Sequence, residues 1–175
     1  MNSAKNTNTF AINPNRVAQY VAVDEAATVA FAYALAPLLQ IQDIILLDGS
    51  LAAGKTFFVR NLVECLGTVD QVSSPTYAIA NMYQTPNFEV LHVDAYRLND
   101  VKDFYNLGLE AEVDNALSLI EWGSSIAPAF DAYLKLSISL LYDENDARLF
   151  EVSALGARPE NLLNDLIARG LLTWV

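Results

Sequence analysis

The segment Gly49-Ser50-Leu51-Ala52-Ala53-Gly54-Lys55-Thr56 fits G-x-x-x-x-G-K-[ST] and constrains the chain more than any other stretch. Before it, "DIILLDG" is a short apolar run closed by Gly49, the pattern of a parallel strand covered on both faces. After it, "KTFFVRNLVECLG" has the spacing of a helix ended by Gly67. A strand that turns through a small-residue loop directly into a helix can wrap backbone N–H groups around phosphate oxygens, at the helix end whose dipole favours anions. On that reading Lys55 reaches the outer phosphates and Thr56 offers its hydroxyl to Mg²⁺. The alternative, a glycine-bounded turn with an exposed lysine, sets a cation against the positive end of a helix.

The rest of the chain reads as alternating helices and strands. "VDEAATVAFAYALAPLLQ" opens with Asp24 and Glu25 and continues as a helix with acids at its positive end. "VSSPTYAIANMYQ" carries a loop signal at Ser73-Ser74-Pro75 and then alternates as a strand. "FEVLHVDAYRL" is a second strand ending near Asp94, and "NDVKDFYNLGL" begins a helix with an Asn99/Asp100 cap signal. "NALSLIEWG" is a short apolar strand with Glu121 at its end. "YLKLSISLLYDENDARLFEVSAL" is a hairpin turned at "DENDA", and "RPENLLNDLIARGLL" is a helix with Pro159 in its first turn. A mixed α/β domain follows, with helices flanking a sheet that is parallel near the loop and antiparallel at one edge. The 175 residues form a single domain on this reading, with residues 1–20 partly flexible.

A phosphate loop needs acids at neighbouring strand ends to organise a metal, and Asp94 and Glu121 are the candidates. Each could instead be an ordinary turn residue. Their shared position after short apolar strands points to the crevice that the loop faces. His92, two residues before Asp94, reads better as a partly buried, hydrogen-bonded imidazole than as a base, and Cys65 reads as a core residue. Arg97 and Arg148 are undecided between neutralising nearby acids and serving the site. The net charge of −11, with only ten Lys and Arg residues and no cluster among them, excludes tight autonomous nucleic-acid binding. The polar first residues lack a secretory pattern and the apolar runs fall short of the ~20 residues of a membrane span, so a soluble cytoplasmic protein is expected.

Several motifs together carry a resemblance: "DEAAT", "GSLAAGKTFFVR", "VSSPTYAI", "HVDAYRL", "LGLEAEVDNALSLIEWG" and "DARLFEV", in that order. The chain resembles the TsaE family, small P-loop ATPases of bacterial tRNA threonylcarbamoyladenosine synthesis. The resemblance implies a P-loop NTPase-like three-layer fold that binds ATP or ADP with Mg²⁺. Phosphate binding then falls to Gly49 and to Ala52, Ala53, Gly54, Lys55, Thr56 and Phe57, and Mg²⁺ to Thr56 and Glu121. Asp94 becomes the acid needed for hydrolysis, and Thr76 a switch element near the terminal phosphate. Trp122 packs beside the site or in the core, and Arg148 and Glu25 become nucleotide neighbours. The partners implied are TsaD and TsaB, with tRNA reached only through them and no membrane involved.

Two loop positions depart from the family pattern, Gly-Asp-Leu-Gly-Ala-Gly-Lys-Thr. Ser50 stands for the acid, removing a negative charge, and Ala52 stands for a glycine, restricting the backbone. They keep open a nucleotide-dependent adaptor without useful hydrolysis. A small P-loop kinase is disfavoured because no arginine-rich lid segment follows the loop.

Overall fold

The structure, a computed structural model, describes residues 16–141 and 146–175. The expected flexibility of residues 1–15 and the centre of the "DENDA" turn lie outside the described residues. Residues expected to be loose just before the first helix instead form a strand, β1 (Ala18–Ala22). Helix α1 (Glu25–Leu35) begins where the acids predicted, with the Asp24 carboxylate accepting from Ala27 N at 2.7 Å. Strand β2 (Ile44–Gly49), helix α2 (Lys55–Cys65), β3 (Ala80–Gln84) and β4 (Glu89–Asp94) follow. Then come α3 (Val101–Tyr105), α4 (Glu110–Asn115), β5 (Ala116–Glu121), β6 (Tyr133–Leu140), β7 (Arg148–Leu155), α5 (Ala157–Ala168) and β8 (Thr173–Trp174).

The eight strands of the described residues join one sheet in the order β3-β4-β5-β2-β6-β7-β1-β8. Strands β4, β5, β2 and β6 run parallel, and every other neighbouring pair is antiparallel. The β6–β7 hairpin is therefore not the rim of the sheet, because β1 and β8 extend the antiparallel side beyond it.

The parallel strands are buried on both faces. From β2, Ile45 and Leu47 enter a core with Phe31, Phe58, Phe150 and Leu166, under α1, α2 and α5. Leu46 enters a second core with Leu91, Ile120, Phe104 and Ile126, under the short helices and turns of the opposite face. Along β6 and β7 buried and less buried positions alternate, because only one face there is covered by helices.

Three further sequence expectations shift. The strand predicted after Pro75 starts only at Ala80, because residues 76–79 turn, ending at Ile79 with φ +72°. The last helix stops at Ala168, where Gly170 (φ +72°) reverses the chain and lets Leu171–Val175 return toward β1. Cys65 is exposed rather than in the core. The buried positions of α2 are Lys55, Phe58, Val59, Leu62 and Val63, a stripe that Cys65 misses.

Candidate functional site

The strands carrying the phosphate loop and the two candidate acids are adjacent and parallel, so their carboxyl ends open on one side. Register sets Asp94 beside Glu121 and Glu121 beside Leu47, two residues before Gly49. A cleft of about 440 Å³ lies there, with Lys55, Thr56, Thr76, Asp94, Glu121 and Trp122 in its wall. Ala52, Gly54 and Phe57 also line it. The sequence-predicted acids, loop and switch residue thus meet in one place.

The loop's glycines are where a side chain has no room. At Gly49 (φ +147°) a Cβ would stand 2.3 Å from the carbonyl oxygen of Ile138. Gly54 (φ +107°) is the N-cap of α2, and a Cβ there would meet Arg148 Nε at 3.0 Å. With no capping side chain, the first helical bond runs from Phe58 N to Gly54 O at 2.9 Å, leaving the N–H groups of residues 55–57 ahead of it. Ala52 adopts φ +63°, the left-handed conformation that alanine resists and glycine accepts. Ala53 is fully buried.

Lys55 is almost wholly buried, and its ammonium donates to the carbonyls of Gly49 (2.9 Å) and Ser50 (3.0 Å), 3.7 Å from the centre of the Trp122 ring. Two donors are occupied and a third remains for an anion. Burial pushes the Lys55 pKa below the usual lysine range, while Glu121, Asp48 and Asp94 pull it back up. Trp122 lines the cleft with one part of its surface and packs against the second core with another, itself at φ +59° and 5.1 Å from Tyr96.

Thr56 Oγ1 lies 2.8 and 3.0 Å from the two Glu121 oxygens. His92, expected to be partly buried, is fully buried, with Nε2 2.8 Å from Glu121 Oε1. Its Nδ1 has no partner among the described residues. Asp94 accepts from Thr76 Oγ1 and from Tyr96 N, each at 3.0 Å, and Ser74 Oγ is 2.7 Å from Thr76 Oγ1.

Arg148 braces the loop from behind: its Nε donates to Ala53 O at 3.2 Å and its side chain lies against Gly54. Pairing of Ala22 with Arg148 brings the start of α1, where Glu25 is exposed, to that side of the molecule. Neither residue borders the cleft of the strand ends.

Some contributors escape sequence reasoning. Arg97 donates to the carbonyls of Thr76 (2.8 Å) and Tyr77 (3.1 Å), clamping the loop that carries Thr76. Asp48 accepts from Ser124 N at 3.3 Å and pairs with Lys135 at 3.4 Å, which ties down the turn after Glu121. Tyr96, Leu51 and Ser74 line the cleft. For Tyr96 the available signal was its place two residues after a candidate acid.

The geometry fits Mg²⁺. A hydroxyl and a carboxylate at one point are hard oxygen donors, and Mg²⁺ characteristically takes few protein ligands and completes its shell with phosphate and water.

Comparison with known proteins adds an independent line. Residues 22–150 match the family model described as "Threonylcarbamoyl adenosine biosynthesis protein TsaE". A Rickettsia typhi protein named tRNA threonylcarbamoyladenosine biosynthesis protein TsaE is 35% identical over 144 residues, covering 82% of this chain and 96% of that protein. A Bacillus subtilis protein of the same name is 31% identical over 145 residues, covering 82% and 90%. Among solved structures, the crystal structure of Bacillus subtilis YdiB superposes with a TM-score of 0.72 at 25% identity, covering 88% of this chain and 96% of that one.

Proposed function

This chain belongs to the TsaE family, and from that premise we propose that it is a Mg²⁺-dependent ATP-binding and hydrolysing switch protein of tRNA threonylcarbamoyladenosine synthesis, acting with TsaB and TsaD. The observation that carries this reading is the meeting of Lys55, Thr56, Glu121, Asp94 and Thr76 around one cleft. The pathway comes from the names of the relatives. The fold is that of a P-loop NTPase, by likeness to YdiB.

The unpaired N–H groups at the start of α2 and the free donor of Lys55 bind the phosphates of ATP or ADP. Thr56 and Glu121 would hold Mg²⁺, which supplies charge neutralisation to the phosphates. Asp94, fixed by Tyr96 N, takes up or orients the proton of the attacking water. Thr76 bonds Asp94 through its hydroxyl, and turning that hydroxyl toward a terminal phosphate would order residues 73–77 in the ATP state. Arg97 carries the backbone of that loop with it. Partner docking then reads the state of the loop, and hydrolysis resets it. TsaB and TsaD deal with tRNA, which suits a chain of net charge −11.

A second reading, an adaptor that binds ATP without useful turnover, is favoured by one observation: Ala52 holds a left-handed backbone inside the loop. Both readings are tested by phosphate release from Mg-ATP by the protein alone, with TsaB and TsaD, and with Lys55→Ala in place of the native chain. Partner-stimulated release lost in Lys55→Ala supports the switch ATPase. Nucleotide binding with no release under any condition supports the adaptor, and unchanged release in Lys55→Ala removes the loop from the mechanism.

A further inference from the structure

We propose that His92 is a positioning residue for the divalent cation: its imidazole holds the Glu121 carboxylate in place so that Thr56 and the cation need not. The inference rests on the nucleotide and Mg²⁺ reading above and concerns a residue that this reading leaves without a task. Glu121 Oε1 receives His92 Nε2 at 2.8 Å and Thr56 Oγ1 at 2.8 Å, whereas Oε2 receives only Thr56, at 3.0 Å. Among the described residues no other side chain donates to this carboxylate.

A threonine hydroxyl has one proton, which serves one carboxylate oxygen at a time, while a cation takes one of its lone pairs, so Thr56 alone cannot fix both oxygens of Glu121. His92 supplies a second, separate anchor: it lies one strand away on β4, fully buried and in the register position facing Leu119. It anchors Oε1 and leaves Oε2 as the oxygen free to turn to the cation. Orientation of a first-sphere ligand by a buried donor behind it is a recurrent way to raise metal affinity.

The unpartnered nitrogen argues for a task beyond packing. A carboxylate oxygen without a hydrogen only accepts, so in this bond Nε2 is the donor, and Nδ1 is left without a partner in the interior. An aliphatic residue would fill the same place between Val90 and Asp94 on β4 without a buried, unsatisfied polar atom. What the histidine adds at that position is the Nε2–H bond to Glu121.

The test is ADP binding by titration calorimetry over a Mg²⁺ series, using the full chain and its His92→Leu and His92→Gln variants. The expected result is that His92→Leu binds ADP in EDTA within about two-fold of the native chain but needs roughly 10–100-fold more Mg²⁺ for the half-maximal effect. His92→Gln, whose amide restores a donor, recovers most of that loss. If His92→Leu responds to Mg²⁺ as the native chain does, the positioning role is wrong while the nucleotide reading stands. If the native chain binds no ADP, or binds it indifferently to Mg²⁺, both fall. A measurement on the unmutated protein covers the case of variants that do not fold. His92 is the only histidine, so its ¹⁵N spectrum is unambiguous. It should show a proton on Nε2, and an Nε2 resonance that moves on adding Mg-ADP. A proton on Nδ1 with Nε2 bare, or an Nε2 resonance indifferent to Mg-ADP, overturns the proposal.

Discussion

Replacing Ala52 by glycine should stabilise the protein. Ala52 sits at φ +63° in the loop and its side chain is exposed, so its removal forfeits no packing. An L-residue with a Cβ is disfavoured in this region by about 1–2 kcal/mol relative to glycine. Glycine returns part of this, about 0.4–1 kcal/mol, by loosening the unfolded chain. The balance for Ala52→Gly is a gain of about 0.5–1 kcal/mol, which for a chain of this length raises Tm by about 1–4 °C. The neighbouring Ala53→Gly is the natural control. Ala53 is fully buried and is not among the residues of positive φ, so the same chemical change there should cost about 1 kcal/mol. Thermal and urea unfolding of the nucleotide-free protein read both. A fall in stability for Ala52→Gly, or equal losses at the two sites, would show that residue 52 is not left-handed in solution. The measurement also bears on the adaptor reading: a faster phosphate release in Ala52→Gly would make the alanine a brake on turnover.

Four further outcomes follow, each from a single residue. Gly49→Ala drives a Cβ to 2.3 Å from Ile138 O at φ +147°, and should cost about 2–4 kcal/mol in urea unfolding; native-like stability would place that carbonyl elsewhere. Arg148→Met removes the bond to Ala53 O and should weaken ADP binding about ten-fold through a looser loop, with a loss of about 1–2 kcal/mol in stability; unchanged affinity in calorimetry would free the loop from this brace. The Lys55 pKa is lowered by burial in the folded chain, so the unfolded chain takes up this proton first as the pH falls. Lys55 therefore lets stability rise with pH between its folded value and the ordinary lysine value, and Lys55→Met should flatten that alkaline slope. Bound phosphates raise the same pKa, so ADP binding in that window should take up protons, visible in calorimetry across buffers of different ionisation enthalpy; proton release would contradict the placement of the ammonium.

The site was legible because its parts are local and the element joining them is short-range. A strand, a glycine-bounded loop and a helix start fix where Lys55 and Thr56 go, and an acid at the end of a short apolar strand lies at the carboxyl edge if that strand runs parallel to β2. What escaped depends on partners far away in the chain. Strand β1 exists because Ala18–Ala22 finds β7, and β8 because it finds β1, pairings across more than a hundred residues that no local pattern announces. Arg97 could not be assigned because its partners are the carbonyls of Thr76 and Tyr77, and a carbonyl leaves no mark in a sequence. Cys65 was misjudged for a simpler reason: a small apolar residue amid an apolar helix was counted as core although it misses the buried stripe by one position. The backbone strain at the site divides along the same line. Ala52 could be flagged because its motif position calls for glycine, whereas nothing local marks Ile79 or Trp122, which are also left-handed. All three border the cleft or the turn that carries Thr76. A β-branched residue and a tryptophan in this conformation hold only where surrounding bonds over-determine them. Here the bonds are visible: Ile79 N to Pro75 O at 2.6 Å and Asp94 N to Ile79 O at 2.9 Å for one, Trp122 N to Leu47 O at 2.7 Å for the other. The same strand ends that supply the acids thus supply the clamps, so a change in either clamp should be felt at Asp94 or Glu121 before it is felt in the core.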